Sequence, residues 1–144
     1  MGMSPKARHK ARSFAMQAVY QWQLTGDALN QIEAQYLVAN SHHKVEWDFF
    51  KALLHGVPAH LTEIDGFIEQ ASSERSLKEI NPVELAILRL GLFELIHRID
   101  VPYKVVINEY VDLAHSFGAE EGHKFINGIL DKVAKQARSV EINR

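Results

Sequence analysis

Lys6, Arg8, His9, Lys10 and Arg12 crowd five basic or protonatable side chains into the first dozen residues, with no acid among them. Such a set neutralises phosphate, and a strand of RNA is the polyanion it would suit. If the run forms the first turns of a helix, it lies at the positive end of the macrodipole. Each cation there costs about 0.3 kcal/mol or more, where Asp or Glu would help. Local stability therefore does not explain the run. An anionic ligand does, because helix N-terminal amides and basic side chains both favour phosphate. At about 100° per residue the five side chains fan around the axis and could grip a strand from several sides. The competing reading is an ordinary solvated terminus.

Aromatic rings supply the second ingredient of single-strand recognition, because bases stack on them. Tyr20 follows the basic run, and Phe125 stands beside Lys124. Taken singly, either ring reads more simply as core. Enzyme motifs are missing from the sequence. The eight histidines form no HExxH or similar ligand pattern; His55 and His60 are off a common helical face, and His42-His43 has no evident third ligand. Gly91, Gly118, Gly122 and Gly128 make no phosphate-cradling loop. Gly128, inside a helical pattern, reads as a point of close helix packing, with close approach of a ligand as the alternative. There are no cysteines, hence no disulfide or thiolate chemistry. Neither a metal site nor a cofactor is expected.

The elements that must position these residues are helices. Ser4-Pro5 is a cap followed by proline at the first helical position, and Gly26 ends the helix that carries Phe14, Ala15, Ala18, Val19 and Trp22. Asp27 caps a second helix. The series Phe50, Leu53, Leu54, Val57, Leu61, Ile64, Ile68 stays in register through Pro58 and predicts one long kinked helix. Ser76 to Glu79 fits a capping box. Asn81-Pro82 opens a stretch that is apolar nearly all round, the expected central buried helix. Two further helices follow, one from Pro102 to Gly118 and one through Phe125 to Val133, with Glu120-Glu121 as the acids at the start of the last. No segment alternates with period two, so the fold class is all-α.

A net charge of −2 argues against a nucleic-acid partner until its distribution is considered. Four of the 16 Lys and Arg residues sit in the N-terminal run, so the 18 acidic residues dominate the remainder. A basic arm on an acidic body suits two partners, one a polyanion and one a basic protein. No apolar run approaches the ~20 residues of a membrane span, and no apolar stretch follows the charged start. A cytoplasmic protein is the simplest fit.

Longer stretches carry a family resemblance. Val101-Pro102-Tyr103-Lys104-Val105-Val106-Ile107-Asn108-Glu109 is one. Ser116-Phe117-Gly118-Ala119-Glu120-Glu121-Gly122-His123-Lys124-Phe125-Ile126-Asn127-Gly128-Ile129-Leu130-Asp131 is another. With Ala18 to Leu24 and Glu84 to Leu95, they resemble the NusB family of bacterial antitermination factors over nearly the whole chain. The resemblance implies two packed helical bundles in a single compact domain. The basic segment would occupy 1-12, an N-terminal subdomain about 13-70 and a C-terminal one about 76-140.

It also implies a non-enzymatic protein that binds single-stranded boxA RNA of nascent ribosomal transcripts together with NusE, a small-subunit ribosomal protein. The pair would join the RNA polymerase elongation complex with NusA and NusG. The family's RNA-binding positions map onto Lys6, Arg8, His9, Lys10, Arg12, Tyr20, Lys124 and Phe125, and its partner-binding positions onto Glu84 and Arg89. A pure protein-interaction module is one alternative. Another is a relative of the NusB-like domain of ribosomal RNA methyltransferases, although no nucleotide-binding βαβ pattern follows within these residues.

Overall fold

The computed structural model describes residues 4–73, 75–117 and 121–143. Its elements in chain order are α1 (Pro5–Thr25), α2 (Leu29–Ala39), α3 (Trp47–Ala59), α4 (Leu61–Ala71), a short 3-10 turn (Leu77–Glu79), α5 (Pro82–His97), α6 (Tyr103–Ser116), α7 (Gly122–Ala137) and α8 (Ser139–Ile142). Among the described residues there is no strand. The caps act locally, as the sequence suggests. The Ser4 hydroxyl accepts from the Ala7 amide at 3.1 Å, and the Asn81 side chain accepts from Val83. Gly26 closes α1 in the left-handed region at φ 70°, a conformation that costs glycine little. The Ser76 amide and hydroxyl both donate to the Glu79 carboxylate. Asp27 does not cap α2: Ala28 holds that position, and Asp27 accepts from Gln21 instead.

Helix α5 is the axis of the molecule, because nearly all of its faces are covered. It packs on α1, α3, α4, α6 and α7, and Ala86, Ile87, Leu88, Leu90, Leu92 and Leu95 are all removed from solvent. Burying Leu or Ile in this way contributes roughly 1.5–3 kcal/mol per side chain. Gly91 lets α7 approach, since a Cβ there would lie 2.8 Å from Leu130. One acid, Glu94, sits inside this apolar helix and is fully buried. Its carboxylate takes two hydrogen bonds from Arg12 of α1, at 2.8 and 2.9 Å, and a short one from the Tyr110 hydroxyl of α6. Arg12 also donates to Glu109 at 2.7 Å. Burial alone would favour a neutral Arg12, but the hydrogen bonds and negative charge of Glu94 more than offset it and raise its pKa.

The last carbonyls of α5 run short of helical donors, although the Arg98 amide closes on the Glu94 carbonyl at 2.9 Å. Arg138, buried just after α7, supplies them: it donates to the carbonyls of Leu95 at 2.7 Å, Arg98 at 2.9 Å and Glu94 at 3.2 Å. The first helix thus grips Glu94 by its side chain, and the segment after α7 grips it by its backbone.

The single kinked helix expected across Pro58 is two helices. Pro58 lies in the last turn of α3, where its missing N–H and its ring disturb the preceding turn. One residue after α3 ends, His60 leaves helical geometry, at φ −121° and ψ 25°, and α4 begins. The apolar register stays in phase because only one residue is spent on the break. The expected helix stop at Gly118 and the acid at Glu120 lie outside the described residues. Glu121 precedes α7 without a side-chain cap.

Candidate nucleic-acid interface

The start of α1 forms one wall of a groove of about 710 Å³, faced by Val101, Pro102, Val105 and Asn108. Lys6 is exposed on its rim and makes no ion pair among the described residues. Arg8 gives both Nε and Nη2 to one oxygen of Glu46, at 3.0 and 2.8 Å, and lies 4.2 Å over the Phe49 ring. About a third of its side chain remains exposed. His9 turns Nδ1 to Glu109 at 3.0 Å and Nε2 toward Asp112 at 3.8 Å. Lys10 donates to His43 at 3.1 Å. Desolvation and the Lys10 ammonium hold the His43 imidazole below its ordinary pKa, which keeps it a neutral acceptor.

Arg12 differs from its neighbours. It borders the groove, but its side chain is 2% exposed and its donors are taken by Glu94 and Glu109. The physical reason is position along the helix: residue 12 lies one turn beyond Arg8 on much the same face, over the same Phe49 ring, where Glu94 of α5 and Glu109 of α6 receive its guanidinium. The expected set of five cations around the helix is therefore a set of four outside and one inside.

Helix α6 links this arm to the other expected RNA positions. Its middle receives His9 on Glu109 and Asp112, and its last turn sets His115 against His123, with ring centroids 4.4 Å apart. Six residues of helix separate Glu109 from His115, about 9 Å. Lys124 follows at once, exposed and without an ion pair among the described residues. Phe125 is half-buried beneath Arg75, whose guanidinium lies 4.3 Å over the ring. Tyr20 stands on the same side of α1 as His9, eleven residues on, and packs partly against the core.

Phe125, Lys124, Gly128 and Lys132 line a second, smaller hollow of about 150 Å³ with Ser72 and Ser73. Gly128 is not a packing glycine, because a Cβ there would meet nothing within 4 Å. Close packing is found at Gly56, Gly91 and Gly122 instead. Arg75 and Lys132 are not among the residues expected from sequence. Lys132 stands two helical turns from Phe125, a spacing too common to single it out, and Arg75 is fifty residues away, so no local signal joins it to the ring.

Glu84 and Arg89 stand five residues apart on α5, which turns them about 140° from each other. Glu84 faces Gly122 and accepts from Arg75 at 3.3 Å. Arg89 clamps Asp65 of α4 through two 3.0 Å bonds and reaches Gln23 of α1. The two expected partner positions therefore flank the N-terminal half of α5 rather than share one face. Beside Arg89 lies an apolar groove of about 500 Å³, lined by Trp22, Leu24, Leu77, Ile80 and Leu85.

Comparison with known proteins places this arrangement. The model of the NusB family matches residues 9–135. The transcription antitermination protein NusB of Hahella chejuensis is 47% identical over 142 residues, covering 99% of this chain and 95% of that protein. The structure of T. maritima NusB superposes with a TM-score of 0.84 at 27% identity over the full length of both chains. A chain from the crystal structure of antitermination factors NusB and NusE in complex with dsRNA gives 0.81 at 29% identity, covering 92% of this chain and 99% of its own. With its all-helical fold, the α5 axis and the basic start of α1, this chain belongs to the NusB family of transcription antitermination proteins.

Proposed function

We propose that this protein binds boxA-type single-stranded RNA of nascent ribosomal transcripts together with NusE. The supporting observation is that α6 joins the two sets, receiving His9 at Glu109 and Asp112 and setting His115 against His123, which Lys124 and Phe125 follow. Cations stand at both ends and an aromatic ring at one, as single-strand binding requires. The similarity to the NusB of a NusB–NusE–RNA complex supports both partners. NusE would sit over the groove between the end of α1 and the start of α5, contacting Arg89 on one flank and Glu84 on the other. In this reading the subdomains, about 13-70 and about 76-140, work as one body in the cytoplasm, joining RNA polymerase with NusA and NusG. No helix among the described residues is long and apolar enough to cross a membrane.

The related complex holds double-stranded RNA, so a duplex is the second reading. Its discriminator is Phe125, since a stacking ring serves unpaired bases and does little for a closed helix. The test measures binding to boxA RNA, a scrambled strand and a duplex, with and without NusE, at two salt concentrations. Preference for the boxA strand, strengthened by NusE and weakened by salt, supports the proposal. Equal affinity for the scrambled strand in the presence of NusE overturns it.

A further inference from the structure

His60, Glu63 and His97 come together at the corner where α3, α4 and α5 meet, far in sequence from the basic arm. The His60 and His97 rings stack, with centroids 3.9 Å apart and planes inclined by 29°. One oxygen of Glu63 faces both of them, 2.6 Å from His97 Nε2 and 3.8 Å from His60 Nδ1. All three donor atoms lie within 4.8 Å of one another. We propose that these residues form a surface site for a divalent transition cation, with Zn²⁺ the best fit.

The geometry is within reach of a tetrahedral metal site. Zinc sits about 2.0–2.2 Å from imidazole nitrogen and carboxylate oxygen, so tetrahedral ligand atoms stand roughly 3.3 Å apart. The distances from Glu63 to the two rings bracket that value, and a small rotation of its exposed side chain evens them. Two imidazole nitrogens and one carboxylate oxygen are an ordinary zinc ligand set, with a water in the fourth position. Two imidazoles and one carboxylate also suit Zn²⁺ better than Mg²⁺ or Ca²⁺, which prefer oxygen. The side chains are 29–44% exposed, so an ion can enter and a water can complete the coordination. On the inner side, the Phe93 ring lies 6.0 Å from His60 and 5.5 Å from His97, an apolar floor that limits competing water.

Three helix ends bring the ligands together. The helix break after Pro58 places His60 outside both helices, Glu63 occupies the first turn of α4, and His97 is the last residue of α5. A bound ion would fasten α4 to the end of α5.

Zinc chloride titrated into the full-length protein, followed by NMR of the histidine rings, tests the site. Two other close histidine pairs, His42–His43 and His115–His123, are internal competitors. The first equivalent is expected to move the His60 and His97 resonances before the others. His60→Ala and His97→Ala should each weaken zinc binding at least about tenfold, and His55→Ala should leave it unchanged. A first equivalent that goes to either competing pair overturns the proposal. So does unchanged affinity in a folded His60→Ala/His97→Ala variant. If circular dichroism shows a variant unfolded, the wild-type ring shifts decide alone.

Discussion

Arg12 and Glu94, 82 residues apart, meet in a two-point contact at 2.8 and 2.9 Å with both side chains buried. A residue from the basic run is thereby part of the core. The pair fixes where the exposed cations of α1 stand relative to α5 and α6, so the placement of the basic arm and the stability of the core share one contact.

Arg12→Ala is expected to cost about 3–5 kcal/mol, because it leaves Glu94 as an uncompensated buried charge. Arg12→Lys should recover only part of this, since one ammonium cannot reproduce a forked contact. Urea unfolding measures both. A loss below about 1 kcal/mol in the alanine variant would contradict the role given to the pair.

Tyr110 sets an alkaline limit. Burial first, and then the charge of Glu94, raises its phenol well above the ordinary value of 10.0. The unfolded chain therefore releases this proton at lower pH than the folded one. The stabilisation is complete below about pH 10 and is lost as pH rises from there toward the folded-state value, with a slope of up to about 1.4 kcal/mol per pH unit. Urea midpoints across this range should fall more steeply for the native protein than for Tyr110→Phe.

Removing single exposed cations should change the salt dependence of RNA binding. Lys6→Ala, Lys10→Ala and Lys124→Ala are each expected to reduce the log–log slope by about 0.7 for a single strand. Phe125→Ala should cost about 1–3 kcal/mol of affinity with little change in slope, because stacking is not a counterion effect. Filter binding over a salt series separates the two behaviours.

Gly128→Ala should move stability and binding in opposite directions. The position is helical with open space where the methyl would go, so helix propensity predicts a gain of up to about 1 kcal/mol. If an RNA strand approaches the backbone beside Lys124 and Phe125, the same methyl weakens its binding. A stabler variant with undiminished RNA affinity would remove Gly128 from the interface.

Glu46→Gln tests whether acids hold the arm in check. Glu46 occupies both facing donors of Arg8. Its neutralisation should cost less than about 1 kcal/mol of stability. RNA binding should tighten, most clearly at low salt.

The sequence shows most of the helices because their signals are local. Ser4-Pro5, Gly26 and Asn81-Pro82 mark boundaries through bonds made within a few residues. It hides the fate of Arg12, because no neighbour distinguishes it from Arg8 and its partner is far along the chain. The one signal within reach is Glu94, an acid in a helix apolar on every side, which requires a buried cation somewhere. His60 is hidden for a similar reason, since the ring stacked on it lies on another helix. Pro58 misleads because a one-residue break leaves the apolar spacing nearly unchanged.

The double grip on Glu94 bears on the order of events during synthesis. Residues 6–12 are the first of the functional side chains to leave the ribosome. Their anchor needs Glu94, Glu109 and Tyr110, and the end of the helix that carries Glu94 waits for Arg138. The basic end of the protein is thus made early and set only once α5 and α6 have followed. A nascent chain that has not yet added α5 and α6 should present an unanchored arm to any transcript nearby.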